Sequence, residues 1–262
     1  MLNPGIRKIV IIGAGRVAVN LSVAIRKGGY EIIEVCNRTE SKGQHLAGKL
    51  KARYVREPEM INPDADLYIL AVSDAAIPLM LKRLTTGNGI VVHTSGSVSM
   101  DILQVASPNF GVIYPFQTFT LKKILPFRNV PLCIEASSGE ILLRIRSLAD
   151  SLSRKVYMIN SGQRRILHLS AVFANNFTNF MIAISQELLK QNSIDFGILE
   201  PIIRQTARNM VSGDAFKLQT GPAIREDMET ISLHLDLLSS HPEYKEIYDL
   251  ITQNIIQHKK KL

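Results

Sequence analysis

The chain has 262 residues, with 31 Lys and Arg against 23 Asp and Glu for a formal net charge of +8, and is 46% hydrophobic and 21% charged. That length holds one large or two modest domains, and the apolar share excludes a disordered or fibrous chain. Two cysteines, Cys36 and Cys133, exclude a disulfide framework and a thiolate zinc site, so no metal is expected.

Short, near-continuously apolar runs rich in Ile and Val fall at residues 8–12, 32–36, 67–72, 90–93, 111–114, 132–135 and 156–159. Parallel strands covered on both faces read this way. Amphipathic helical patterns lie between them at 17–27, 41–50, 75–84 and 140–152. This alternation predicts right-handed βαβ units and an α/β, doubly wound parallel sheet. Past Ile159 it stops. Residues 162–190 read as one long helix, followed by helices at 195–211, 222–238 and 242–257, with Pro201 making the second of these start late or bend. The expected organisation is therefore a nucleotide-binding domain over 1–160 and a helical substrate and dimerisation domain over 161–262.

Gly13-Ala14-Gly15-Arg16-Val17-Ala18 follows the first strand and opens the first helix, the context that a G-x-G-x-x-A dinucleotide motif requires. Gly13 suits the tight turn, Gly15 admits a diphosphate close to the backbone, and Ala18 permits close packing of helix on strand. At the end of the second strand, NAD enzymes place an acid that holds the ribose hydroxyls. Here stand Asn37, Arg38 and Thr39. A guanidinium at Arg38, helped by Arg16, favours a 2′-phosphate, so NADP is the expected cofactor.

Further candidates lie where open α/β sheets bind ligands, at carboxyl ends of strands. Val72, Ser73 and Asp74 are placed to flank the ribose or nicotinamide, with Asp74 equally readable as a helix cap. His93, Thr94, Ser95 and Gly96 offer a titratable ring, hydroxyls and a flexible glycine, although a strand-end histidine is often plain core. Gln117, in the string Tyr114-Pro115-Phe116-Gln117-Thr118-Phe119, is a candidate for substrate lining.

On the long helix, at about 100° per residue, His168, Asn175 and Asn179 share a narrow arc opposite Phe173, Phe177 and Phe180. Asparagines on one arc call for a hydrogen-bonded cleft or for solvent. Because this helix is apolar nearly all round, a central position is expected. His168 and His93 are the candidate proton donors, Asn175 is the third candidate for the catalytic set, where it would orient the substrate, and Asn176 is a candidate substrate contact. In Thr220-Gly221-Pro222-Ala223-Ile224-Arg225-Glu226-Asp227, Thr220 or Gly221 is suited to cap a helix that Pro222 starts. Arg225 then either meets a substrate carboxylate or pairs with Glu229, and His234 falls close to the same face.

The one dense basic cluster, His258-Lys259-Lys260-Lys261 just before Leu262, is read as a solvated tail, and the remaining basic residues are scattered. With no zinc-finger or RNA-binding spacing, no nucleic-acid partner is expected. No apolar run reaches the ~20 residues of a membrane span. Residues 1–8 do not read as a signal peptide, so a cytoplasmic protein without membrane partners is expected.

Taken together, these strings make the chain resemble a bacterial family provisionally assigned as NADP oxidoreductases, in which a Rossmann-like domain precedes a helical domain of unknown function. It is more distantly similar to ketopantoate reductase, pyrroline-5-carboxylate reductase, deazaflavin-dependent NADP reductase and the β-hydroxyacid dehydrogenases. The resemblance implies an all-helical second domain like that of 6-phosphogluconate dehydrogenase, a homodimer, and hydride transfer to a small polar carbonyl, imine or hydroxy acid in the cleft between domains. The chain departs from the pattern at Tyr114, where the family's string begins with His, and at Glu226, commonly Gly. The catalytic Lys of the β-hydroxyacid dehydrogenases would fall at Ala171, ahead of Asn175. That absence leaves a second expectation open: a sensor that binds NADP without turnover.

Overall fold

The computed structural model describes residues 5–121 and 124–259. The chain divides into two compact units, Met1–Val172 and Phe173–Leu262. The first runs β1 (Lys8–Ile12), α1 (Arg16–Lys27), β2 (Glu31–Cys36), α2 (Glu40–Leu50), β3 (Arg53–Val55), β4 (Leu67–Leu70), α3 (Ile77–Leu81), β5 (Ile90–His93), β6 (Phe110–Pro115), β7 (Leu132–Ala136), α4 (Gly139–Leu152), β8 (Val156–Met158) and α5 (Ser161–Ala171). These strands form one sheet in the order β3-β2-β1-β4-β5-β6-β7-β8. The order reverses between β1 and β4, which is where a doubly wound sheet opens its ligand crevice.

Alternation along the strands builds two cores. Ile9 and Ile11 of β1 face α1, α2 and α4, whereas Val10 and Ile12 face α3 and the 3-10 helix Met100–Val105. β4 and β5 are buried at every position, which explains their unbroken apolar sequence. The Rossmann-like expectation holds, with two corrections. β3 gives too little apolar signal to be read, being three residues that begin with an exposed arginine. β7 runs antiparallel to β6. Among the described residues of the stretch 116–131 between them, punctuated by Pro126 and Pro131, there is no crossover helix, only a 3-10 turn at Phe127–Asn129, and the chain returns antiparallel. Asn20 pins this segment to α1, donating to Thr120 O at 3.1 Å and accepting from Leu125 N at 3.1 Å.

Helix boundaries differ in instructive ways. The helix expected at 75–84 is a 3-10 turn, Asp74–Ala76, followed by the five residues of α3 with Pro78 in its first turn. The long helix is interrupted: α5 passes into a π-helical stretch, Val172–Phe177, and then α6 (Thr178–Gln191). In the second unit α7 (Glu200–Ser212) starts late, with Pro201 in its first turn. The helix expected over 222–238 is split into α8 (Pro222–Arg225) and α9 (Met228–Leu237). Glu226 adopts a left-handed φ of 57° and Asp227 caps α9, accepting from Thr230 N at 3.1 Å. α10 (Pro242–Lys259) ends the described chain. His258 stacks on Phe216 at 4.0 Å and Lys259 pairs with Glu226 at 3.0 Å, so this part of the basic run is not free tail. Lys260 and Lys261 lie outside the described residues. Among the described residues no helix is long and apolar enough to cross a membrane.

Candidate functional site

In the first unit the turn from β1 into α1 places Gly13 at φ 114°, a conformation that disfavours any side chain. A Cβ there would also overlap the Ala71 carbonyl that follows β4. Gly15 differs: its φ of −79° suits any residue, and a Cβ would meet no protein atom within 4 Å. It precedes a helix with no side-chain cap and no acid in its first turn, so the first amides of α1, at Arg16, Val17 and Ala18, have no helical acceptor. Open space above bare amides and a positive helix end is a cradle for an anion, and the donor set fits a dinucleotide diphosphate. Asn37, Arg38 and Thr39 follow β2, with Arg38 and Thr39 exposed and Asn37 held by the Tyr54 hydroxyl on its carbonyl at 3.0 Å. Arg16 is exposed at the mouth of the same turn.

The loops after β4 and β5 are tied together. Ser97 donates from its hydroxyl to the Asp74 carboxylate, and Ser95 Oγ accepts from the amides of Ser97 and Val98, each at 3.1 Å. Thr94 and Ser95 are buried. His93 is fully buried, its Nδ1 accepting from Ser95 N at 3.1 Å, and burial pulls its pKa down to about 4. Its Nε2 has no hydrogen-bond partner among the described residues. A neutral ring locked in the core shapes the loop and is poorly placed to trade protons.

α5 supplies what the sequence did not reveal. Asn160 caps it with a full capping box to Gln163. One turn in, the completely buried Arg164 donates to Ser95 O at 3.1 Å, Val98 O at 2.6 Å, Glu135 Oε2 at 2.5 Å and Ser161 Oγ at 3.1 Å. Glu135, from β7, also accepts from Ser161 N at 2.8 Å. One turn further His168 lies over Gly96, its Nδ1 3.1 Å from the Tyr114 hydroxyl of β6. Gln117 is exposed just beyond β6. Loops from β1, β2, β4, β5 and β6, with His168, thus occupy one edge of the sheet.

The other candidates belong to the second unit. Asn175 and Asn176 are exposed in the π-helical stretch, and so are Phe173, Phe177 and Phe180. Val172–Phe177 is π-helical, so the 100° per residue on which the expected arc was reckoned does not run through it. Nor is this helix central within its own unit, with Phe173 62% exposed. Gly221 precedes Pro222 as expected, at φ 104°. Among the described residues Arg225 forms no ion pair with Glu229. Asp227 has its carboxyl held below its usual range by the Thr230 amide and hydroxyl, with Arg225 and His234 nearby. His234 bonds the Tyr248 hydroxyl at 2.8 Å, the break after Arg225 having removed the shared face.

Two family models match in tandem: a Rossmann-like domain over residues 2–113 and the domain of unknown function DUF2520 over 130–255. No curated protein matches the chain significantly. A Bacteroides fragilis protein provisionally named an NADP oxidoreductase is 39% identical, with 97% of this chain and 99% of that one covered and a TM-score of 0.90. An imine reductase from Myxococcus stipitatus, solved with NADP+, is 16% identical over 97% of this chain and 94% of that one, TM-score 0.71. A 1-pyrroline-5-carboxylate reductase from Streptococcus pyogenes is 17% identical over 97% and 99%, TM-score 0.59. At those identities the two reductases share the fold alone. The match to the Bacteroides protein runs nearly end to end, and on that ground the chain belongs to the family that joins a Rossmann-like domain to a DUF2520 helical domain.

Proposed function

We propose that the protein is an NADP(H)-dependent oxidoreductase acting on a small polar carbonyl, imine or hydroxy acid. The observation that carries this reading is the open space over Gly15 and the α1 amides, with Arg38 where an NAD enzyme has an acid. Gly13, Ala14, Gly15 and Val17 hold the diphosphate, and Arg38, with Arg16, Asn37 and Thr39, holds the 2′-phosphate. Val72, Ser73, Asp74, Thr94, Ser95 and Gly96 flank the nicotinamide end. When bound, the nicotinamide gives or takes the hydride. His168 holds the proton that balances it on the substrate oxygen or nitrogen, a role that His93 is too buried to share. Gln117, Asn175, Asn176 and Arg225 orient the substrate. The second half, from 161 onward, serves substrate binding and dimerisation.

Calorimetry with NADPH and NADH, followed by turnover against imine and carbonyl panels, tests this. NADPH is expected to bind more tightly, and Arg38→Ala to weaken it by about 10- to 100-fold while leaving NADH unchanged, the worth of a charge-assisted contact. His168→Gln is expected to lower kcat by about 10²-fold with NADPH affinity intact. Equal affinity for the two nucleotides would remove the assignment of Arg38. Ala171, where related dehydrogenases carry lysine, favours the alternative of a non-catalytic NADP sensor, which tight binding without turnover on any panel would support.

A homodimer is part of the same proposal. Ile198 is 70% exposed and Val211 90%, and Ile202, Met210 and Phe216 are exposed in the same unit. An apolar surface of this extent calls for a partner, and a second copy is the economical one. Sedimentation is expected to give the mass of two chains, and a monomer at micromolar concentration would overturn it.

A further inference from the structure

We propose that Tyr114 is a positioning residue for His168: its hydroxyl occupies Nδ1, so that Nε2 is the ring nitrogen that faces outward with the transferable proton. This rests on the oxidoreductase reading, since it assigns the state of the group named there as proton donor.

Tyr114 Oη lies 3.1 Å from His168 Nδ1, with the rings edge to face at 72°. Among the described residues it is the only hydrogen bond that the hydroxyl makes. Burial pushes the phenol up to about 12, with Cys133 of β7 and Asp74 adding to the rise and Arg164 opposing it, so at neutral pH the hydroxyl keeps its proton. A neutral imidazole accepts at one nitrogen and carries hydrogen on the other. With Tyr114 donating to Nδ1, the hydrogen is on Nε2. In the charged ring Nδ1–H donates to the same hydroxyl, which turns to accept it. Transfer then breaks the Nε2–H bond and forms an O–H or N–H bond on the substrate. This leaves the ring briefly neutral with its remaining hydrogen on Nδ1, donated to the Tyr114 oxygen, until a proton from bulk solvent returns to Nε2 and restores the charged ring.

The geometry is held from below. A Cβ on Gly96 would come within 2.7 Å of His168 Nδ1 and 2.9 Å of Tyr114 Oη, so the pair sits directly on that glycine. Gly96 belongs to the loop that Arg164 clamps through Ser95 and Val98, one helical turn before His168 on the same helix. Three strands and one helix therefore converge on a single orientation of one exposed imidazole, the kind of support that fixes tautomers in known acid–base sites.

The test is the nitrogen-15 spectrum of the six histidines above the imidazole titration, with His168 assigned by its loss in His168→Gln. The wild-type ring is expected to show hydrogen on Nε2 and a hydrogen-bonded Nδ1. In Tyr114→Phe, and independently in Gly96→Ala, which displaces the ring, the signals are expected to move toward the mixed tautomers of a free imidazole. Turnover in Tyr114→Phe is expected to fall about tenfold in kcat without change in the KM for NADPH. Identical His168 spectra in wild type and Tyr114→Phe would overturn the proposal. Calorimetry on the same samples separates the two readings: a wild type that holds hydrogen on Nε2 yet does not bind NADPH supports the pair and sinks the oxidoreductase.

Discussion

Replacing Arg164 by alanine is expected to cost the first unit about 3–5 kcal/mol, the scale of stranding one member of a buried ion pair. The side chain is wholly buried and its four acceptors come from three places in the chain: the loop after β5, the end of β7 and the start of α5. Among the described residues, removing it leaves Glu135 with only the donors of Ser161, and leaves the Ser95 and Val98 carbonyls without the guanidinium. Lysine brings one ammonium in place of a fork whose three nitrogens serve four acceptors, so Arg164→Lys is expected to recover less than half of the loss. A double change, Arg164→Met with Glu135→Met, removes both charges and is expected to be milder than Arg164→Ala, without reaching wild type because the two carbonyls stay unpaired. Native-state hydrogen exchange at the amides of β5 and β6 reads the first unit by itself. Protection within about 1 kcal/mol of wild type in Arg164→Ala would show that water replaces the guanidinium and that the clamp is not what holds the loop.

The same residue marks where the sequence stops being legible. β1, β4 and β5 announce themselves because burial on both faces demands apolar residues throughout, and the β1–α1 turn does so in part because the backbone at Gly13 suits only glycine. Arg164 has no such signature, since an arginine in an amphipathic helix reads as surface. Its burial depends on Glu135 and Ser95, 29 and 69 positions away. The reversal of β7 was hidden for a related reason: strand composition carries no direction, and only the proline-bounded stretch before it hints that no crossover helix forms. The π-helical stretch is a change of hydrogen-bond partner from i+4 to i+5, which hydrophobic periodicity does not announce and which an arc reckoned at 100° per residue does not allow for. His168 could be picked out as a histidine on a helix, but its link to Tyr114 joins residues 54 apart and needed the fold.

One substitution made at two positions of the first turn is expected to give opposite readouts. Gly13→Ala puts a side chain at φ 114° and drives it into the Ala71 carbonyl, in the stretch where Ala71 N bonds Ile12 O at 2.8 Å and joins β4 to β1. Neither backbone can retreat without opening the centre of the sheet, so a loss of at least about 2 kcal/mol is expected, strain and overlap combined. Gly15→Ala costs the fold nothing by the same measures: its backbone is in an ordinary region, no protein atom lies within reach of the new methyl, and removing a glycine stiffens the unfolded chain. Its thermal midpoint is expected to be unchanged or slightly higher. Its NADPH affinity is expected to fall roughly 10²-fold, as two charge-assisted contacts from the α1 amides are pushed out of range. A glycine that packing does not require is explained only by what approaches it from outside. If Gly15→Ala binds NADPH as tightly as wild type, the diphosphate does not lie on α1, and the reading built on that helix end fails with it.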